Sequence, residues 1–148
     1  MEPRPFEQQA IEQTRQWIAR AETECNITLP KIDIRFDLTG KAAGMVKFPY
    51  RTPPVLRYNL QLLEENSDVF LIQTIPHEVS HLVVRHLYGQ KARPHGVEWK
   101  SIMAFYGSKA SRCHNYDTRR SSKRRLKTFS YQCGCQDHSL TSIRHNRV

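Results

Sequence analysis

The segment His77-Glu78-Val79-Ser80-His81 reads H-E-x-x-H and constrains this chain more than any other five residues. On a helix, two histidines four apart share a face one turn apart, with their Cβ atoms roughly 6 Å apart. The surrounding apolar residues Val69, Ile72, Ile75, Val79, Leu82, Val83 and Leu87 recur at helical spacing. The segment is therefore expected in an amphipathic helix that buries them. Ser67 is its expected N-cap, with Asp68 in the first turn, and Gly89 its expected stop. Pro76 breaks the pattern and predicts either a kink or a fresh helix start. On such a helix the two imidazoles can reach one Zn²⁺ at about 2.0–2.1 Å. Glu78 then stands beside a metal-activated water without ligating the metal, which is the equipment of metal-assisted hydrolysis. A chain with 7 histidines in 148 residues matches this pattern by chance about 0.02 times. A pair of unrelated surface histidines is accordingly the weaker reading.

Upstream, Phe6, Ala10, Ile11, Trp17, Ile18 and Ala21 mark an amphipathic helix over residues 6–25, packed through Trp17 and Ile18. Residues 31–38 alternate strictly, with Ile32, Ile34, Phe36 and Leu38 on one face of a strand. Gly40 and Gly44 bracket a turn, residues 45–48 read as a second short strand, and Pro49, Pro53 and Pro54 mark a loop. Residues 55–60 read as a third strand, with Leu56, Tyr58 and Leu60 facing the core. A further helix is expected from near Gly96, carrying Val97, Trp99, Ile102, Met103 and Phe105. From Ser108 onward the periodicity dissolves into Ser, Arg and Lys.

Charge divides the chain at the same place. Residues 1–108 hold 13 basic and 12 acidic side chains, whereas residues 109–148 hold 10 basic and 2 acidic. The expected organisation is a near-neutral body at 1–108 and a basic segment at 109–148. Such a basic segment calls for a polyanionic partner, nucleic acid first, against the alternative of a merely solvated tail. Arg119, Arg120, Lys123, Arg124, Arg125 and Lys127 are the expected phosphate contacts, with Tyr116 and Phe129 able to stack on bases or to pack locally. No run of 18 apolar residues exists, and the first residues lack a signal peptide's basic and apolar blocks, so a soluble cytoplasmic monomer is expected. Cys25 and Cys113 are isolated and Cys133 and Cys135 are close, a pattern that favours metal over disulfides.

A catalytic zinc usually takes three protein ligands plus water. The metzincin completion needs Gly at 84 and His at 87, but those positions hold Val84 and Leu87. His86 points to another part of the helix, and Glu98 comes early for a glutamate-type site. His95 is better placed, in Arg93-Pro94-His95-Gly96 at the mouth of the next helix, where Pro94 restricts the backbone and Gly96 permits a tight turn. An exposed loop histidine is the competing reading.

At this point the chain resembles the SprT family of zinc metalloproteases, whose eukaryotic relatives, the Spartan proteases, act on DNA–protein crosslinks. The resemblance rests on Pro76-His77-Glu78-Val79-Ser80-His81, on Pro94-His95-Gly96-Val97-Glu98-Trp99-Lys100 and on Tyr58-Asn59-Leu60-Gln61-Leu62-Leu63-Glu64-Glu65-Asn66. It extends through Tyr131-Gln132-Cys133-Gly134-Cys135 and His145-Asn146-Arg147-Val148. It implies an α+β, zincin-like domain with a small sheet packed on the H-E-x-x-H helix. It also implies zinc on His77, His81 and His95, with Glu78 as the catalytic residue. Family members end in a zinc ribbon with two cysteine pairs. Cys133 and Cys135 match the first pair and no second pair follows, so an incomplete ribbon is expected. A makeshift second zinc site from Cys133, Cys135, His138 and His145 is the alternative.

The expected activity is zinc-dependent peptide hydrolysis, on protein substrates that include nucleic-acid-bound ones. Glu78 acts as general base, and an extended substrate adds to a sheet edge, with residues 56–60 as one option. Tyr88, Tyr106 and Arg112 are the candidates for stabilising the oxyanion. The rival from another class is a non-catalytic nucleic-acid-binding or regulatory protein with structural zinc. A deformylase-like hydrolase is weaker still, because it needs an upstream Cys ligand and only Cys25 is available.

Overall fold

A computed structural model describes residues 4–121, together with the strand backbones of 128–133 and 136–141. Helix α1 (Pro5–Cys25) precedes three short strands, β1 (Asp33–Arg35), β2 (Gly44–Lys47) and β3 (Val55–Tyr58). Four helices follow, namely α2 (Leu60–Glu65), α3 (Ser67–Val69), α4 (Ile75–Tyr88) and α5 (Val97–Phe105). A separate hairpin pairs β4 (Thr128–Cys133) with β5 (Gln136–Thr141) in antiparallel fashion. Among the described residues, no helix is long and apolar enough to cross a membrane.

The alternating run at 31–38 turns the expected face inward, with Leu38 buried and Ile32, Ile34 and Phe36 packed against the core. The third strand differs from expectation at its end. Asn59 leaves the ladder to cap α2, its side chain accepting the Leu62 N–H at 3.2 Å, so Leu60 opens a helix. The same side chain donates to the carbonyls of Gly40 at 3.1 Å and Ala42 at 3.0 Å. Buried Asn59 thereby satisfies its amide and fixes the loop that leads into β2.

Sheet order corrects a second expectation. The order is β1-β3-β2, with β3 parallel to β1 and antiparallel to β2. Residues 55–58 are therefore central and cannot accept an added strand. Among the described residues the free edge beside α4 is β2. Ala43 C=O accepts from Asn59 N–H at 2.9 Å, so the alternation of an antiparallel ladder points the N–H and C=O groups of Gly44 and Val46 outward.

The core gathers Leu56, Tyr58, Leu62, Phe70, Val79, Val83, Trp99 and Met103 between the sheet and the helices. Tyr58 OH and Thr14 Oγ1 lie 2.8 Å apart and join α1 to β3 inside it.

Pro76 stands in the first turn of α4, close to the fresh start expected, but the chain enters α4 from a helical turn and not from a loop. The turn before it, Phe70–Thr74, is π-helical, with Ile75 N–H donating to Phe70 C=O. One extra residue in the turn rotates the upstream stripe, so Phe70 and Thr74 are buried while Val69 and Ile72 are 49% and 61% exposed. Pro76 has no N–H to offer the carbonyls behind it. Side chains replace it, with Trp17 Nε1 donating to Leu71 C=O at 3.4 Å and Ser108 Oγ to Ile72 C=O at 3.2 Å. The helix continues without a break into H-E-x-x-H.

Candidate metal centre

His77, Glu78 and His81 lie in the first two turns of α4, and His95 lies in the loop before α5. The ligand atoms of His77, His81 and His95 all fall within 4.8 Å of one another. His77 Nε2 and His95 Nε2 are 3.1 Å apart, and the ring centroids are separated by 5.1, 5.0 and 4.8 Å for the pairs 77–81, 77–95 and 81–95. Three imidazoles converging on one point suit a borderline cation such as Zn²⁺. Among the described residues the group contains neither Glu98 nor Cys25, and His86 is exposed beside a different cavity.

Local backbone chemistry delivers His95. Pro94 and His95 are the central residues of a turn closed by Gly96 N–H donating to Arg93 C=O at 3.0 Å. His95 itself takes the left-handed conformation at φ 62°, a cost a non-glycine residue bears mainly at functional sites. Gly96 was expected to absorb the turn; instead it caps α5 with φ −79°. Its missing side chain still matters, because a Cβ there would meet Arg93 O at 3.0 Å.

Burial keeps all three rings neutral, so their lone pairs are available. Desolvation first, then repulsion from protonated His81 and His95, hold His77 at about 2, while the Ser111 backbone opposes them. His81 is held at about 3 by burial and by His95, and His95 at about 4 by burial and by Arg112.

Glu78 is 2% exposed, and its desolvation raises the carboxyl to about 8. It packs directly on β2: a Cβ at Gly44 would stand 2.7 Å from Glu78 Cγ and 2.8 Å from Oε1. Sequence reasoning placed Gly44 at a turn. A glycine opening a strand also signals close approach of another group, and that is its role here.

Trp99, a core residue by its spacing, does more than fill space. Its ring stacks on His81 at 5.8 Å and meets His77 and His95 edge-on at 4.8 Å each. Its Nε1 donates to His77 C=O at 3.2 Å. A buried indole needing an acceptor, four residues past His95, was the available signal.

Glu78 and His81 open onto a cleft of about 430 Å³ between β2 and α4. The three candidates for an oxyanion partner separate. Tyr106 is buried with its OH donating to Trp17 C=O at 3.1 Å, which removes it. Tyr88 is exposed at the end of α4. Arg112 is exposed, and its charge is felt at His95.

Residues 108–121 contain no helix or strand yet fasten to the body. His114 Nε2 lies 2.6 Å from Lys41 C=O, Tyr116 OH lies 2.8 Å from Thr74 Oγ1, and Ser121 exchanges bonds with Gly40. Tyr116 packs locally, stacked on His114 and Phe70. Arg119 and Arg120 are exposed and lie against Asp117 at 2.8 Å and Glu65 at 3.6 Å. Lys123, Arg124, Arg125 and Lys127 lie outside the described residues. Of the second zinc set, Cys133 ends β4 and His138 lies in β5, while Cys135 and His145 lie outside the described residues. Phe129 lies in β4.

The SprT-like family model matches residues 9–121, which include the three imidazoles, Glu78 and the fastened segment. Protein SprT of Pseudomonas paraeruginosa is 39% identical over 125 residues, covering 82% of this chain and 72% of the relative. Protein SprT of Pseudomonas entomophila is 41% identical over 133 residues, and that of Pseudomonas syringae pv. tomato 40% over 132; each alignment covers 87% of this chain and 77% of the relative. No solved structure matches. A match across most of the chain, which takes in the histidine cluster, places this protein in the SprT-like family.

Proposed function

We propose that this protein is a zinc-dependent metallopeptidase of zincin-like design, acting with His77, His81 and His95 as zinc ligands and Glu78 as general base. The observation that carries the reading is the convergence of three neutral imidazoles, two buried and His81 half-buried, beside a buried carboxyl at a cleft. The donor set fits zinc, since three nitrogen ligands are a common catalytic complement. Bound zinc supplies Lewis-acid activation of water and of the peptide carbonyl, and its charge counters the desolvation that raises Glu78.

The chain's own groups do the rest. Glu78 accepts a proton from the attacking water as its oxygen bonds to the carbonyl carbon. It returns that proton to the amine as the C–N bond breaks. Gly44 leaves room for the carboxyl to hold this position. The outward N–H and C=O groups of Gly44 and Val46 suit pairing with an extended substrate, so β2 replaces β3 as the edge that receives it. Tyr88 and Arg112 remain as the choices for the oxyanion.

We extend the proposal to substrates held on nucleic acid, with the basic residues of 109–148 gripping phosphates. A cytoplasmic setting goes with it. The rival, a non-catalytic zinc protein that binds nucleic acid, is separated by Glu78→Gln. On the enzyme reading this variant keeps zinc and nucleic-acid binding and loses proteolysis; cleavage at the wild-type rate removes Glu78 as base.

A further inference from the structure

The cleft beside Glu78 shares a wall with a second cavity. Phe48 and Arg85 line both spaces, and the Arg85 guanidinium lies 4.6 Å from the Phe48 ring centroid. The first space is about 430 Å³ and the second, bounded by Leu29, Ile32 and Leu82, about 290 Å³. The stacked pair is the partition between them.

The first space is mainly apolar, with Met45 and Val46 on the strand side, Val84 on the helix side and Ala92 and Pro94 on the loop side. Its charged lining groups are Glu78 on the catalytic side and Arg85 and Arg93 elsewhere. Two guanidiniums repel a lysine or arginine, and an aspartate or glutamate that they attract still loses hydration in the apolar part and faces Glu78. Because Glu78 and His81 line the same space, any side chain seated there belongs to a residue flanking the reacting carbonyl.

We infer that this cleft selects a bulky apolar side chain beside the scissile bond, and that the Phe48–Arg85 pair sets how deep that side chain reaches. The inference rests on the metallopeptidase reading and names the substrate class that site takes. Removing the Phe48 ring joins the two spaces, so larger side chains gain a place. Arg85→Ala opens the same partition from the other side, removing the guanidinium from the Phe48 ring while the ring itself stays.

The test uses the zinc-loaded full chain and a fluorogenic peptide series varying only the residue beside the cleaved bond. The same peptides are bound to zinc-loaded Glu78→Gln, read by fluorescence anisotropy. The expected result is a preference for leucine and phenylalanine over lysine and aspartate of about tenfold or more. In Phe48→Ala, or in Arg85→Ala if the first variant does not fold, tryptophan gains about tenfold on leucine. Cleavage without preference, or an unchanged order in both variants, overturns the inference and leaves the metallopeptidase reading standing. Binding with the stated preference but no cleavage supports the inference and sinks the metallopeptidase reading.

Discussion

Gly44→Ala tests the fit between sheet and helix on which the proposed chemistry depends. Gly44 is not among the residues at positive φ, so alanine carries no backbone penalty there. What the substitution adds is a methyl group 2.7 Å from Glu78 Cγ, 2.8 Å from Oε1 and 3.0 Å from Cδ. Ordinary carbon contacts lie at about 3.5–4.0 Å, so the Glu78 side chain has to move by roughly 1 Å. The cleft that Glu78 lines gives it room for that shift, but the shift takes the carboxyl out of the place it holds over Gly44. Misplacement on that scale costs about 10²-fold in rate, and overpacking costs about 1–3 kcal/mol in stability. The assay is peptide hydrolysis by the zinc-loaded variant, with zinc content and thermal unfolding measured alongside. The expected outcome is kcat lower by about 100-fold, one zinc per chain retained and a modest loss of stability. A folded, zinc-loaded variant with kcat within about twofold of wild type refutes the claim that the Glu78 position governs turnover.

Two further predictions follow from the packing around the histidines. Trp99→Phe keeps an aromatic ring but removes the donor to His77 C=O. Zinc affinity should fall by about 10- to 100-fold, as for other outer contacts of metal ligands, and competition with a chelator measures it. The metal-free protein should be most stable near about pH 6.5. The folded histidines titrate well below their ordinary 6.5, so their contribution is present above that value and is lost as pH falls toward 4. Glu78 titrates near 8 when folded against 4.5 ordinarily, so its contribution is lost as pH rises between those values. Thermal unfolding from acid to mild base checks both limbs, and a flat profile contradicts the stated burial of these groups.

The histidine helix was legible because the spacing of metal ligands and the helical period coincide in five residues. His95 was legible because Pro and Gly flank it, although the strained dihedral falls on His95 itself and Gly96 stays ordinary. Where reading failed, the cause was non-local. The central position of β3 depends on a parallel partner some twenty residues earlier, which no alternation reveals. The exposure of Val69 and Ile72 depends on a π turn that Pro76 makes favourable but does not specify. Gly44 and Trp99 acquire their roles only when strand, helix and loop meet at Glu78 and the imidazoles. Residues 108–121 are held by hydrogen bonds and stacking, which leave no periodic trace.

The central claim is that His77, His81 and His95 bind one metal ion, and zinc stoichiometry tests it most directly. The measurement belongs in a Cys133→Ser, Cys135→Ser background, so that zinc is read from the imidazoles and not from the tail cysteines. The account predicts one tightly bound zinc per chain, lost when His95→Ala is added. Unchanged zinc content in that variant would contradict it.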